Sequence, residues 1–328
     1  MTMPEKKGRT LVTGAGGFVG RAVCATLAAA GHEVRAMVRT VSRNGERPYP
    51  AVVEEVSGGD VSENGEWHPL LHGVDAVVHL AARTHVMHES DEHDLAQYRH
   101  INVAGTRRVA AAAAVAGVRR LIYMSSIKVN GESTSARPYT EADIPRPEDA
   151  YGISKWEAEQ ALAEISRESG METVILRPPL VYGPHVKGNL LTLMRALDRH
   201  VPLPLASIRN RRSLIAVANL ANAVLRCIES PQAAGKTYLV SDGEDVSTPG
   251  LIRRIAAGLG VRPMLFPCPP ALLNAAGHVL GRTEQVSRLT GSLQMDSSLI
   301  RRELDWKPPQ ALDEGLYGMS AWYRNADV

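Results

Sequence analysis

The strongest constraint on what this chain can fold into is the run Thr13-Gly14-Ala15-Gly16-Gly17-Phe18-Val19-Gly20. It follows a short β-type segment, residues 10–13, and opens a helical pattern, residues 19–30, that stops at Gly31. Gly14, Gly17 and Gly20 are evenly spaced, and each has its own physical use. Gly14 lets the chain turn tightly out of the strand. Gly17 removes a Cβ where a pyrophosphate approaches the backbone, and Gly20 lets the helix pack closely on the sheet. The helix N-terminus then turns free N–H groups and a positive dipole end toward phosphate. The plainer alternative is a tight βα turn without a ligand. The strand before it and the helix after it are the context that favours a dinucleotide.

The alternation continues along the first half. Strands are expected at 34–38, 51–56, 76–80, 121–125 and 173–176, and helices at 94–116, ending at Gly117, and 151–169, ending at Gly170. Strands without polar alternation, separated by helices, imply a parallel sheet covered on both faces. Right-handed crossovers then give an α/β, doubly wound (Rossmann) architecture. After Arg177 the texture changes, with Pro178, Pro179 and Pro184, and later Pro263, Pro267, Pro269 and Pro270, breaking the pattern. A helix at 220–228 and a strand at 237–240 read as returns to the sheet. The expected organisation is a dinucleotide-binding domain over 1–178, with returns near 213–245, and a smaller C-terminal substrate domain over 179–328.

Composition narrows the function classes. In 328 residues, 37 basic and 35 acidic side chains give a net charge of +2, and no basic block points to nucleic acid. Cys24, Cys227 and Cys268 are scattered, with neither zinc spacing nor a disulfide framework, which fits a reducing cytoplasm. Residues 1–9 are polar and unlike a signal peptide, and no apolar run reaches membrane-spanning length.

Strand two ends Ala36-Met37-Val38-Arg39, with Arg43 close behind. An acid at this point accepts from the 2′-hydroxyl of NAD; an arginine favours a 2′-phosphate, hence NADP, with NAD as the alternative. Asp60, followed by Val61, is placed to meet the adenine, or else is a turn aspartate in Gly59-Asp60. Tyr151 and Lys155 are four apart in a helical pattern and so share a face. Ser125 and Ser126 stand at the C-terminal end of strand five, the edge where such sheets bind ligands. An ammonium near a phenol stabilises its anion and lowers its pKa from about 10. Such a tyrosine exchanges a proton with a carbonyl or alcohol whose oxygen a serine holds.

With these pieces the chain resembles the extended short-chain dehydrogenase/reductases, of the NAD-dependent epimerase/dehydratase type acting on nucleotide sugars. The matching segments are TGAGGFVG (13–20), VVHLAA (77–82), INVAGT (101–106), SSIKVNG (125–131), YGISK (151–155) and RPPLVYGP (177–184), with weaker echoes in RRSLIAV (211–217) and LDWKP (304–308). The resemblance implies that Ser126, Tyr151 and Lys155 are catalytic and that Asn102 holds a water in a proton relay. It implies cofactor contacts from Gly14, Gly16, Gly17, Phe18, Val19, Gly20, Leu80, Ala81, Ala82 and Pro178. Substrate contacts are expected from Thr84, Ser125, Ser126, Lys128, Asn189 and Arg212, with Arg212 and Lys187 near a diphosphate. A homodimer through the helices 94–116 and 151–169 is usual for such lookalikes.

Departures within the family refine this expectation. The dehydratases carry Asp-Glu after their catalytic Ser/Thr, where this chain has Ile127 and Lys128, so dehydration lacks its catalysts. The 4-epimerases carry an acid after strand two and an Asn near Leu180, and both are absent. Residues 82–89 and 126–132 are similar to those of bacterial reductases of UDP-4-keto-6-deoxy-N-acetylhexosamines, which serve surface polysaccharide synthesis. The expectation is therefore NADPH-dependent reduction of a 4-keto group, with a UDP-sugar 4-epimerase using tightly bound NAD as the alternative. His85, His88, His93 and His100 cluster among Glu89, Asp91, Glu92 and Asp94. None of their spacings matches a zinc motif, and a polar loop over the substrate is expected rather than a metal site. Trp67, Trp156, Trp306 and Trp322 read as packing residues.

Overall fold

The computed structural model describes residues 7–41, 49–63, 65–84 and 91–326. Arg43, His85, His88 and Glu89, and the side chains of Asp91, Glu92, His93 and Asp94, lie outside what is described.

Seven parallel strands form the main sheet in the order β3-β2-β1-β4-β5-β6-β9. They are β1 (Lys7–Thr13), β2 (His32–Val38), β3 (Glu54–Ser57), β4 (Ala76–His79), β5 (Arg120–Met124), β6 (Glu172–Arg177) and β9 (Thr237–Leu239). All residues of β4 and β5 are buried, as strands covered on both faces must be. One face carries α1 (Phe18–Ala29) and α7 (Val217–Glu229), whose Val23, Leu27, Leu220 and Val224 enter an apolar cluster with Val12, Ile122 and Trp306. The other face carries α4 (Gly105–Val115) and α5 (Ala150–Ser169), with Val109, Ala113, Ala158 and Leu162 packed on Leu11, Val77 and Leu121. Strand order reverses between β1 and β4, and the crevice at that switch point is where such sheets take ligands.

A second sheet, β10-β8-β7, joins β7 (Leu180–Tyr182), β8 (Arg212–Ala216) and β10 (Asp245–Val246). Its core includes α6 (Asn189–Asp198), α8 (Thr248–Leu259) and α12 (Leu312–Asn325), through Leu190, Met194, Ile255, Leu316 and Met319. Within the expected return at 213–245, β8 pairs in this small sheet, while α7 and β9 belong to the large one. The chain thus leaves the main sheet after β6 and comes back to close its edge.

Local signals set the helix ends. Asp149 caps α5 by accepting from Gly152 N at 2.7 Å, and Gly170 stops it in the left-handed region at φ 76°. Two expectations shift. The third strand begins at Glu54, because residues 51–53 are spent in a turn. The helix expected over 94–116 is two helices, α3 (Asp91–Tyr98) and α4, joined by a π-helical turn at Arg99–Ala104. π turns recur at functional sites, and this one contains Asn102. Trp306 is 1% exposed in the core, with its Nε1 donating to Asn222 Oδ1 at 3.0 Å.

Candidate active site

The glycine-rich turn connects β1 to α1. Gly14 has φ 67°, and a Cβ there would lie 2.7 Å from the Ala81 backbone nitrogen, so the turn seats directly on the end of β4. Thr13 Oγ1 accepts from Leu80 N at 3.2 Å and Ala81 N at 3.3 Å and fastens the same junction. A Cβ on Gly20 would sit 2.3 Å from the Gly14 carbonyl oxygen, so this glycine serves the packing of the helix on its own turn. A Cβ on Gly17 would come within 3.1 Å of the same oxygen. Phe18 packs its side chain toward the small-sheet core and Val19 toward the main core. What both offer a phosphate is therefore backbone N–H. No side chain caps α1, and the first-turn N–H groups of a helix have no partner within it. These features fit a dinucleotide pyrophosphate.

The reactive groups meet at the end of β5. Ser126 caps a short 3-10 turn (Ile127–Val129), its Oγ accepting from Lys128 N at 3.3 Å. The Tyr151 ring packs edge-on to Tyr98 with centroids 6.0 Å apart, and its phenol lies near enough to the Ser126 hydroxyl for that group to oppose the rise in its pKa. Lys155 is 3% exposed; its Nζ donates to Met124 O at 2.8 Å and lies 5.8 Å from the Tyr151 ring centroid. Burial pushes the ammonium down to about 7, with Glu159 pulling the other way. The expected drop in the Tyr151 pKa is not what this geometry produces. Burial raises it, with Asp149 and Tyr98 adding to the rise and the Ser126 hydroxyl opposing it.

Asn102 reaches this cluster through Ser154. Its Nδ2 donates to Ser154 Oγ at 2.9 Å and Arg83 O at 3.1 Å, and its Oδ1 accepts from Arg83 N at 2.8 Å. Both amide hydrogens are therefore used in tying the 81–84 segment to α5. Ser125, 2% exposed, donates to Glu159 Oε1 at 2.5 Å. That carboxylate also accepts from Arg177 Nε at 2.9 Å, forming a buried ion pair beneath β5. Ser125 thus supports the site from below, where substrate contact had been expected. Pro178 O accepts from Ile127 N at 3.0 Å and holds the 3-10 turn against the start of the next segment. Sequence reasoning missed Glu159 and Arg177; a carboxylate one helical turn after Lys155 was the available signal.

Other expected residues lie further out. Lys128 is ion-paired with Asp149 and with Glu132. Arg212 Nη1 donates to the carbonyls of Arg288 at 2.7 Å and Gly291 at 3.2 Å, at the end of α10 (Thr283–Thr290), and burial lowers its pKa. Lys187 lines a cleft of about 270 Å³ with Gly16, Phe18 and Arg21, on the side of the glycine-rich turn. Thr84 and Asn189 are exposed, the latter opening α6. Asp60 Oδ1 accepts from Ser62 N at 2.9 Å and Ser62 Oγ at 2.7 Å; these bonds hold its pKa down, with Arg39 helping. Val61, 6% exposed, packs against Gly105, and Leu80 and Ala82 are half-buried beside the turn. His79 is buried between Thr13 Oγ1 at 2.7 Å and Thr106 Oγ1 at 3.0 Å, and burial drives its pKa to about 3. Among the described residues no group of three His, Cys, Asp or Glu side chains is arranged to hold a metal, and no helix is long and apolar enough to cross a membrane.

The sequence profile of the NAD dependent epimerase/dehydratase family matches residues 10–241, and the chain belongs to that family. It is an enzyme of the NAD-dependent short-chain dehydrogenase/reductase type. It is 41% identical to a UDP-glucose 4-epimerase of Vibrio cholerae over 93% of this chain and 92% of that one. It is 30% identical to a dihydroflavonol 4-reductase of Zea mays over 75% of this chain and 73% of that one. The crystal structure of UDP-glucose 4-epimerase with UDP-glucose from Thermotoga maritima superposes with a TM-score of 0.77 at 21% identity, covering 97% of this chain and 99% of that one, a likeness of fold.

Proposed function

We propose that this enzyme moves a hydride at carbon 4 of a UDP-linked hexose and that its net reaction is 4-epimerisation. The reading is carried by the Ser126–Tyr151–Lys155 cluster at the end of β5 in a chain 41% identical to a UDP-glucose 4-epimerase. A nicotinamide dinucleotide bound over the glycine-rich turn supplies the hydride chemistry. Ser126 holds the carbon-4 oxygen by hydrogen bonding, and Tyr151 takes or gives its proton. Lys155, poised near neutrality, passes a proton toward Tyr151 and anchors the cofactor ribose. Asn102 and Ser154 keep the opposite wall of the site in register. The pair of acidic groups a dehydratase uses is replaced by Ile127, 3% exposed, and by Lys128, held in ion pairs.

One observation favours a second reading, the 4-keto reductase that the sequence led us to expect. Arg39 stands directly after β2, where an acid would select NAD. That placement suits NADPH exchanged at each turnover. The relatives support epimerisation better. The homodimer, with contacts through α4 and α5, and the cytoplasmic location belong to this proposal and are checked by light scattering and by fractionation.

The deciding experiment incubates purified enzyme with UDP-glucose, with UDP-N-acetylglucosamine, and with the 4-keto-6-deoxy derivative of the latter plus NADPH. Interconversion of carbon-4 epimers without net cofactor turnover is expected. Stoichiometric NADPH oxidation on the keto compound alone establishes the reductase instead. Loss of one water from a UDP-sugar, seen by mass spectrometry, refutes both.

A further inference from the structure

The apolar spacing that marks the buried face of a helix lies on the exposed side of α9 (Pro270–Val279). Leu272, Ala275, Ala276 and Val279 recur at i, i+3, i+4 and i+7, the stripe by which a surface helix ordinarily seats itself on a core. Here all four are exposed, Leu272 to 61% and Val279 to 83%, and Leu280 follows at 69%. A different edge of α9 holds it to the protein. Leu273 joins the small-sheet core, and Gly277 lies so close to α10 that a Cβ on it would sit 2.7 Å from Val286 Cγ2. Between Arg262 and Arg282 the chain has no Asp, Glu, Lys or Arg. Met264 and Phe266 are exposed just before α9, and Leu289 on α10. Nearly half of the exposed large hydrophobic side chains among the described residues thus fall between 264 and 289. A single exposed leucine is ordinary, but a concentration of this kind marks a surface that something covers.

The charges bordering this patch say what covers it. Residues 199–212 contain Arg199, Arg209, Arg211 and Arg212 and no acid. They run alongside the apolar segment: Leu203 N donates to Met264 O at 2.8 Å, Ala206 N to Phe266 O at 3.2 Å, and Asn210 Nδ2 to Leu289 O at 3.1 Å. Arg209, Arg211, Arg262 and Arg282 are exposed. The acids bordering the patch are Asp198 and Glu284. The whole chain is nearly balanced, with 37 basic and 35 acidic residues, so the excess here is local. An apolar stripe bordered by cations complements an anionic lipid surface, where headgroups meet the arginines and the acyl boundary takes leucine and valine. A second copy of the chain is a poorer match. A two-fold arrangement sets the patch against itself, arginine border to arginine border. A helix of this length is also only about 15 Å long and about 10 Å wide, far short of the roughly 800 Å² per partner of a stable protein interface.

We propose that the outer face of α9 docks this enzyme peripherally on an anionic lipid surface. Leu272, Val279 and Leu280 enter the acyl boundary, and the bordering arginines meet the headgroups. α9 is too short to span a bilayer, so the contact is with one leaflet. None of these side chains belongs to the Ser126–Tyr151–Lys155 cluster, and the inference holds whichever net reaction the enzyme performs.

The test is flotation of the purified full-length protein with two kinds of vesicle: phosphatidylcholine alone, and phosphatidylcholine mixed equally with phosphatidylglycerol. Thermal melting and sedimentation velocity run in parallel. The wild type is expected to float with the anionic vesicles, less so as salt is raised. The double variant Leu272→Gln, Val279→Gln is expected to bind them at least about tenfold more weakly, the scale of two apolar side chains withheld from lipid. It should melt like the wild type, because both side chains already face water. The double variant Arg209→Gln, Arg282→Gln is expected to lose about fivefold per arginine on the anionic vesicles. A wild type that floats with neither vesicle, or with both equally, overturns the inference. Binding that the Leu272 and Val279 changes leave intact overturns it as well, since the lipid contact then lies elsewhere. Self-association without lipid that those two changes abolish assigns the face to a second copy and overturns it too.

Discussion

At the β5 end of the crevice the polar side chains are held by partners within the protein: Lys155 bonds the Met124 carbonyl, Ser125 and Arg177 share Glu159, and Asn102 reaches Ser154. Around Gly16, at the end of β2, Arg21 makes a single bond to the turn and Tyr49 makes none among the described residues. The first region is organised by the chain itself, as the proposed proton-transfer site requires if reacting atoms are to meet at fixed distances. The second is tied down by fewer bonds, so the two ends of the crevice differ in how much of their geometry the chain alone fixes.

Four measurements would break or sharpen this contrast. The largest effect is expected beneath the reactive end. Arg177→Met leaves Glu159 buried and unpaired, which should cost about 3–5 kcal/mol of stability in urea unfolding. The double variant with Glu159→Met should recover much of it; recovery of none would mean the pair does not organise this end.

Next in size is Tyr151→Phe, expected to lower turnover by at least about a hundredfold, the scale of general acid–base catalysis. Cofactor affinity should stay the same, and steady-state kinetics with a binding titration separates the two. A mutant of near-normal turnover would remove Tyr151 from the chemistry.

At the adenosine end, Arg39→Ala should weaken NADPH by about 1.5–3 kcal/mol and NADH hardly at all. A wild type that prefers NADH would reverse the assignment of selectivity to this corner.

The fourth measurement concerns Lys155. Burial lowers its pKa to about 7 from the ordinary lysine range, so between the two the unfolded chain holds a proton that the folded one lacks. Stability of the ligand-free protein should therefore rise with pH through that window, the cost of the buried charge being fully present below pH 7. Lys155→Met should flatten the rise, and an unchanged slope in the variant would assign it to other groups.

The parts legible in the sequence are those written in local spacing. Thr13 to Gly20 sit in one strand–turn–helix unit, and Tyr151 and Lys155 share one helix face, so both could be read from neighbours along the chain. The reversal of strand order and the parallel sheet followed from the same alternation. What escaped depends on distant pieces meeting. Glu159 and Arg177 pair across an α5–β6 connection. Tyr49 meets the glycine turn from outside that unit, and Lys187 approaches the turn from the segment following β7. The direction of the Tyr151 shift escaped for the same reason: sequence shows the nearby ammonium but not the burial of the phenol. The π turn was hidden because one continuous helical pattern fits residues 94–116 equally well.

The return of the chain to the main sheet has a consequence for how the protein is made. β9 pairs with β6 only after β7 and β8 have been laid down in the other sheet, and Trp306 then fills the core against α1 and α7. During synthesis the N-terminal sheet therefore emerges with one edge unpaired until β9 is made, and with one face incompletely covered until the segment around Trp306 follows. Exposed edges and apolar faces of this kind are where nascent chains stick to one another. A message truncated after residue 241, where the family match ends, should yield an aggregating fragment, and the full-length chain should gain protease resistance abruptly and late.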